Sequence, residues 1–289
     1  MNDEILYSVR GPASWSTMTS QELDRKLRDT DVALVPLGAI EQHAGHLPLG
    51  QDNFQIEEIV RRAWLKLEDA GHAAVIGPTI PFAPVSNLQF KGSIDISPTL
   101  LIELVKEVCL NLHRDGVNNI ALCMGHDMSL GALMVAAREL ASETSDKLRP
   151  VVINWLPLVS RMAPDIRRRI PDDIFNMVPP NARDGHGGAG ETARMMWQNA
   201  ELVVMERHRD YRSETQPGDL PFLGPVVSGG GLYVPRKTTN TDPEFEGILG
   251  YPSIATPELG DALYDGLASW VAGVVQEHCY GELPGSYNY

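Results

Sequence analysis

Apolar residues recur at helical intervals through residues 53–70, where Phe54, Ile59, Val60, Ala63, Trp64 and Leu67 share one face. That spacing predicts an amphipathic helix. Just upstream, 33–37 is a short unbroken apolar run of the kind a buried strand needs. The same alternation of runs and periodic stretches continues along the chain. Strands are expected at 73–76, 119–124, 150–155 and 201–206, and helices at 98–114, 130–140, 191–197 and 257–278. Thr19 precedes a short helix with a capping pattern, and Ser97-Pro98 caps and starts the 98–114 helix, which stops at Asp115-Gly116. Strands alternating with helices predict an α/β fold with three α/β/α layers and a mainly parallel sheet. With no internal repeat or low-complexity linker, residues 1–289 are expected to form one domain.

Two long stretches resist this reading. Residues 161–181 are charged and proline-containing, and their Arg167-Arg-Arg169 run reads most simply as a solvated face. Residues 211–246 are rich in Gly, Pro and Thr, which in a compact domain points to a functional loop or a subunit contact.

Charge then removes several classes of partner. Against 24 Lys and Arg stand 38 Asp and Glu, a net charge of −14, so neither nucleic acid nor an anionic membrane surface is expected as partner. No apolar run approaches the ~20 residues that span a bilayer, and no N-terminal segment reads as a secretion signal. The three cysteines are odd in number and widely spaced, which suits free thiols in a reducing compartment. A cytoplasmic location is the expectation.

Chemistry concentrates where the first strand ends. After Gly38 come Glu41, His43, His46 and Asp52 within fifteen residues of the strand. Carboxylate with imidazole suits a borderline divalent ion such as Zn²⁺, Mn²⁺ or Fe²⁺. Glu41 and His43 are two apart and can face one site, and Asp52, beyond the Pro48/Gly50 turn, can fold back toward it. The strand at 119–124 ends in Gly125-His126-Asp127, the position where open α/β sheets place their sites. A third centre is Asp184-Gly-His-Gly-Gly-Ala-Gly-Glu-Thr-Ala193. Its glycines could admit a phosphate, but the Lys-Ser/Thr pair of a P-loop is missing. Plain structural roles stand beside these: Asp52 as a helix N-cap, His126 as a core histidine, Glu191 as an acidic residue at a helix start.

Read together, Pro36-Leu-Gly-Ala-Ile-Glu-Gln-His43, His46-Leu-Pro-Leu-Gly50 and Asp52 closely resemble the creatininase (creatinine amidohydrolase) family, and later segments match in order from about residue 34 to about 260. The resemblance implies a layered α/β/α core, a homo-oligomer (commonly a hexamer) and two divalent metal ions. It places Glu41, His43, Asp52, His126 and Glu191 as metal ligands, with Asp52 bridging, Glu41 and His126 completing one site and His43 and Glu191 the other. His186 is left as the catalytic residue for proton transfer, and His46 for a supporting role. The implied activity is hydrolysis of a small cyclic or formyl amide, a metal-activated hydroxide attacking its carbonyl. One alternative is cleavage of a C–C bond in a cyclic diketone, as by the inosose-type hydrolases of the family. The other is a metal-free binding or scaffold protein on the same fold. The chain departs from the family's pattern in places. Asn87 stands where a His is usual, Phe90-Lys-Gly-Ser93 replaces Phe-Pro-Gly-Thr, and Met128 takes the place of a metal-binding Glu. The metal framework is kept while residues facing the substrate differ, and creatinine itself is not the expected substrate.

Overall fold

The computed structural model of the protein describes residues 14–155, 184–211 and 245–281. The 161–181 stretch with its arginine run, and all but the ends of 211–246, lie outside them. Four strands form one wholly parallel sheet: β1 (Val32–Leu37), β2 (Val75–Ile76), β3 (Asn119–Met124) and β4 (Val151–Ile153), in the order β2-β1-β3-β4. After α1 (Ser20–Lys26), helix α2 (Gln51–Asp69) joins β1 to β2, α3 (Pro98–Arg114) joins β2 to β3, and α4 (Leu130–Glu143) follows β3. Helices α5 (Ala189–Asn199) and α6 (Pro257–Val275) complete the described elements.

The chain steps from β1 to one side, then crosses back to add β3 and β4 on the other. Right-handed crossovers in opposite directions put their helices on opposite faces. The period-2 strands separate accordingly. Val32, Leu34, Ala121 and Cys123 pack beneath α2 and α6, with Ile56, Ile59, Tyr264 and Leu267. Ala33, Val35, Leu37, Ile120, Leu122 and Met124 pack beneath α3 and α4, with Leu101, Val105, Leu133 and Leu140. Each Val, Leu, Ile or Met side chain among them contributes about 1.5–3 kcal/mol on leaving water. Pro36 is tolerated in this central strand because β2 is short: its carbonyl faces Ile80 N beyond the end of the β2 ladder, where no donor is needed.

The layered parallel architecture is the one the periodicity predicts, but individual elements differ. The expected strand at 201–206 is two 3₁₀ turns, Ala200–Leu202 and Met205–Arg207. Its apolar run is only four residues, Leu202 to Met205, between Glu201 and Glu206, and Val204 N bonds to His46 O rather than to a neighbouring strand. Helix α2 starts two residues earlier than expected, with Gly50 as N-cap, so Asp52 lies inside the first turn and is no cap. The last helix leaves α-geometry after Val275 and ends in a π-turn, Gln276–Tyr280. Among the described residues, no helix is long and apolar enough to cross a membrane.

Candidate metal centre

The pairing of β1 with β3 sets Leu37 opposite Met124, so both strands end at the same level, where the sheet's connectivity reverses. Ligands of open α/β sheets bind at such switch points. A glycine follows each strand. A Cβ on Gly38 would stand 2.1 Å from Asn53 Oδ1, and one on Gly125 2.7 Å from the Asp52 carbonyl oxygen. Both positions must stay bare for the first turn of α2 to lie against the strand ends. That close approach brings Asp52 between the loops after β1 and β3.

Glu41 is buried, and its two oxygens have different partners. Oε1 accepts from Ser86 N (3.0 Å), Ser86 Oγ (3.2 Å) and Asn87 N (3.0 Å). Oε2 lies 3.3 Å from His126 Nε2 and 3.7 Å from His186 Nδ1. Burial pushes this carboxyl's pKa up, but His186, His126, His43 and the Asn87 N–H outweigh it and hold it at about 2. The His43 ring is oriented by its own loop. Nδ1 meets the Glu41 backbone oxygen at 2.9 Å, so Nδ1 carries hydrogen. Nε2 then faces Asp52 Oδ1 at 3.4 Å and Glu191 Oε2 at 3.5 Å. Burial would discharge this ring, yet Asp52 and Glu191 raise its pKa to about 10, so the pocket calls for positive charge at this point.

Glu191 lies in the first turn of α5, and its Oε2 also accepts from Gly187 N at 2.7 Å. His186 stacks on His43, ring centroids 4.0 Å apart. Its Nε2 donates to the Gln42 carbonyl at 2.5 Å, with the Asn87 side-chain amide 2.8 Å away, which leaves Nδ1 turned toward Glu41. Burial and the neighbouring His43 lower the His186 pKa.

Ligand-capable atoms of Glu41, Asp52 and His126 all lie within 4.8 Å of one another, as do those of His43, Asp52 and Glu191, and those of Glu41, His43 and His186. Glu41, His43 and Asp52 each belong to two of these groups, Asp52 being the member common to those of His126 and Glu191, and Asp127 belongs to none of them. His43 Nε2 and both His126 ring nitrogens are buried without a hydrogen-bond partner among the described residues. The 3.3–3.5 Å separations are too long for hydrogen bonds. They match the roughly 3.4 Å expected between two donors each about 2.1 Å from a tetrahedral ion. Among the described residues, the ion-pair partners of these three carboxylates are imidazoles only. Three carboxylates without Lys or Arg, two of them deeply buried, would cost several kcal/mol each to desolvate. Divalent cations would remove that cost, so the donor set fits them.

His46 lies apart from these groups. Its Nε2 meets Thr192 Oγ1 at 2.9 Å, and burial with His208 and His43 nearby keeps its pKa down at about 4. It ties the first loop to α5. Sequence reasoning missed three side chains around the centre. Asp184 accepts from Ala189 N (2.6 Å) and Gly190 N (2.8 Å), holding the start of α5. An acidic residue just before a Gly-rich helix start was the available signal. Gln55 bonds to Asp52 one turn before it on α2, and Arg194 reaches Gln55 across tertiary packing; no motif in the linear pattern marks either.

The sequence model of the creatininase family, described as creatinine amidohydrolase, matches residues 16–275. The chain is 20% identical to a 3-dehydro-scyllo-inosose hydrolase of Thermotoga maritima, over 93% of this chain and 86% of that protein. It is 25% identical to a mycofactocin precursor peptide peptidase of Mycolicibacterium smegmatis, over 91% of each. Among solved structures, a mutant creatininase of Zn–Zn type superposes with a TM-score of 0.69 at 20% identity, covering 93% of this chain and 98% of that one.

Proposed function

The chain belongs to the creatininase family and is a hydrolase, and from that premise we propose that it cleaves a C–N bond of a small cyclic or formyl amide using two divalent cations. The observation that carries this reading is the position of Asp52, common to the groups of His126 and Glu191, with His43 Nε2 and His126 Nε2 lacking hydrogen-bond partners among the described residues. Glu41 and His126 would hold one ion with Asp52, and His43 and Glu191 the other. Zn²⁺, Mn²⁺ and Fe²⁺ all suit such oxygen and imidazole donors. When bound, such ions make water a nucleophile near neutral pH and polarise the substrate carbonyl.

The chain's own groups supply the rest. Glu41 is kept ionised and oriented by three donors on one oxygen. His186, its Nε2–H anchored on the Gln42 carbonyl, turns Nδ1 toward the cluster. There it takes a proton from the attacking water and returns it to the leaving nitrogen. The burial of Glu41, His43, Asp52 and His126 excludes bulk water around that transfer.

A second reading keeps the same machinery and changes the leaving group to carbon, in a cyclic diketone. Met128 in place of the usual Glu, together with the similarity to a protein named as an inosose hydrolase, favours giving it a test. A homo-oligomer is part of the proposal, supported by the exposure of Leu88, Ile94 and Leu100. The deciding experiment is metal content after purification without chelator, followed by assay on cyclic amides, formyl amides and cyclic diketones. Two ions per chain with amide turnover would support the proposal. Turnover of diketones alone would move it to the second reading, and no metal after reconstitution would overturn both.

A further inference from the structure

We propose that Gln55 and Arg194 are positioning residues that orient the Asp52 carboxylate toward its cations, an inference that rests on the dinuclear reading above. Gln55 is fully buried, one turn after Asp52 on α2. Its side-chain nitrogen donates to Asp52 Oδ1 at 2.9 Å and to the Gly125 carbonyl at 2.9 Å. Its oxygen accepts from Arg194 Nη2 at 2.7 Å. Arg194, on α5, is 3% exposed, with its guanidinium carbon 5.3 Å from the centre of the Trp155 ring.

These contacts allow only one orientation of the Gln55 amide. Turned over, its oxygen would face two acceptor oxygens and its NH₂ would face a guanidinium. Arg194 therefore reinforces the orientation that presents the NH₂ end of Gln55 to Asp52. The consequence falls on Oδ1, the Asp52 oxygen that also lies 3.4 Å from His43 Nε2. Gln55 pins that oxygen on the His43 side. Through the Gly125 carbonyl, the peptide leading into His126, it holds a ligand-type residue of the other group as well.

The neutral spacer matters for charge. An arginine bonded directly to Asp52 would compete with a divalent cation for the carboxylate. With Gln55 between them, Asp52 receives an oriented donor while its negative charge stays available. The carboxylate is thus directed without being neutralised.

The test uses the metal-free full chain titrated with Mn²⁺, with thermal melting of the same metal-free protein recorded alongside. Gln55→Met should weaken Mn²⁺ binding about 10–100-fold, the range for residues that orient ligands. Arg194→Met should weaken it less, and the double variant should bind no more weakly than Gln55→Met alone, because Arg194 acts through Gln55. A merely structural role would lower the melting temperature and leave the Mn²⁺ titration unmoved. Wild-type affinity in a folded Gln55→Met protein, or losses that add in the double variant, would overturn the inference. If Gln55→Met does not fold, Arg194→Lys reads the relay from its far end. It keeps a buried cation but shortens its reach, and unaltered Mn²⁺ affinity there would equally overturn the inference. A wild-type chain that takes up no Mn²⁺ would remove the dinuclear centre and this inference with it, whereas unaltered variants would remove only the inference.

Discussion

Helices α2 and α3 flank the same sheet from opposite faces, both are amphipathic in sequence, and they do different work. Helix α3 buries Leu101, Val105, Cys109 and Leu112, spaced four, four and three residues apart, and no polar side chain. Its N-terminus is closed by Ser97, whose hydroxyl accepts from Leu100 N at 3.2 Å. Helix α2 has no side-chain cap, and its first two turns bury Gln51, Asp52, Asn53, Gln55, Glu57 and Glu58 among the apolar residues. Buried polar groups destabilise a helix unless each finds a partner. The clean helix supports the sheet. The one with polar residues in its buried turns brings Asp52 to the proposed metal centre.

The strongest way to break that contrast is Asp52→Ala. Both cations should be lost and activity should fall by more than about 100-fold, beyond the usual effect of supporting residues, with the far-UV circular dichroism retained. Two ions per chain in that variant, by elemental analysis, would remove Asp52 from the centre of the site. On α3 the pattern should invert. Leu101→Ala should cost about 2–5 kcal/mol in denaturant unfolding while cation stoichiometry is unchanged.

Glu57 sharpens the comparison through pH. Burial raises its carboxyl pKa from 4.5 to about 7, against the lowering effect of the Thr79 hydroxyl 2.7 Å away. Between those two values the unfolded chain releases a proton that the folded chain keeps, so stability falls as pH rises from about 4.5 through about 7. Glu57→Gln lacks this loss. Its melting temperature relative to wild type should climb across that window, by at most about 3 kcal/mol of stability, and stay level above it. A difference independent of pH would show that burial does not perturb Glu57. The smallest effect belongs to the capped helix: Ser97→Ala should cost about 1 kcal/mol, and a shift in cation affinity there would count against the division of labour.

The layered parallel fold was legible in the chain because it follows from local periodicity: 33–37 and 119–124 as apolar runs, 53–70 and 98–114 as amphipathic stretches. At 201–206 the pattern misleads because the apolar run Leu202 to Met205 mimics a short strand, and a strand also needs a neighbour, which only the assembled sheet provides or withholds. The candidate ligands were legible as residue types clustered after strand ends, and the family resemblance proposed how to group them. Their actual neighbourhood depends on register. Leu37 lies opposite Met124, and Gly38 and Gly125 admit α2 so closely that Asp52 reaches both loops. Gln55 and Arg194 are 139 residues apart and meet only because α5 packs over the start of α2. The sequence by itself determined where the main strands and helices lie and which residues can bind a cation, since both depend on side-chain chemistry and local spacing. Tertiary structure alone decided which of those side chains share a site, because a period of two or 3.6 sets the face a residue takes but not the strand or helix that comes to lie beside it.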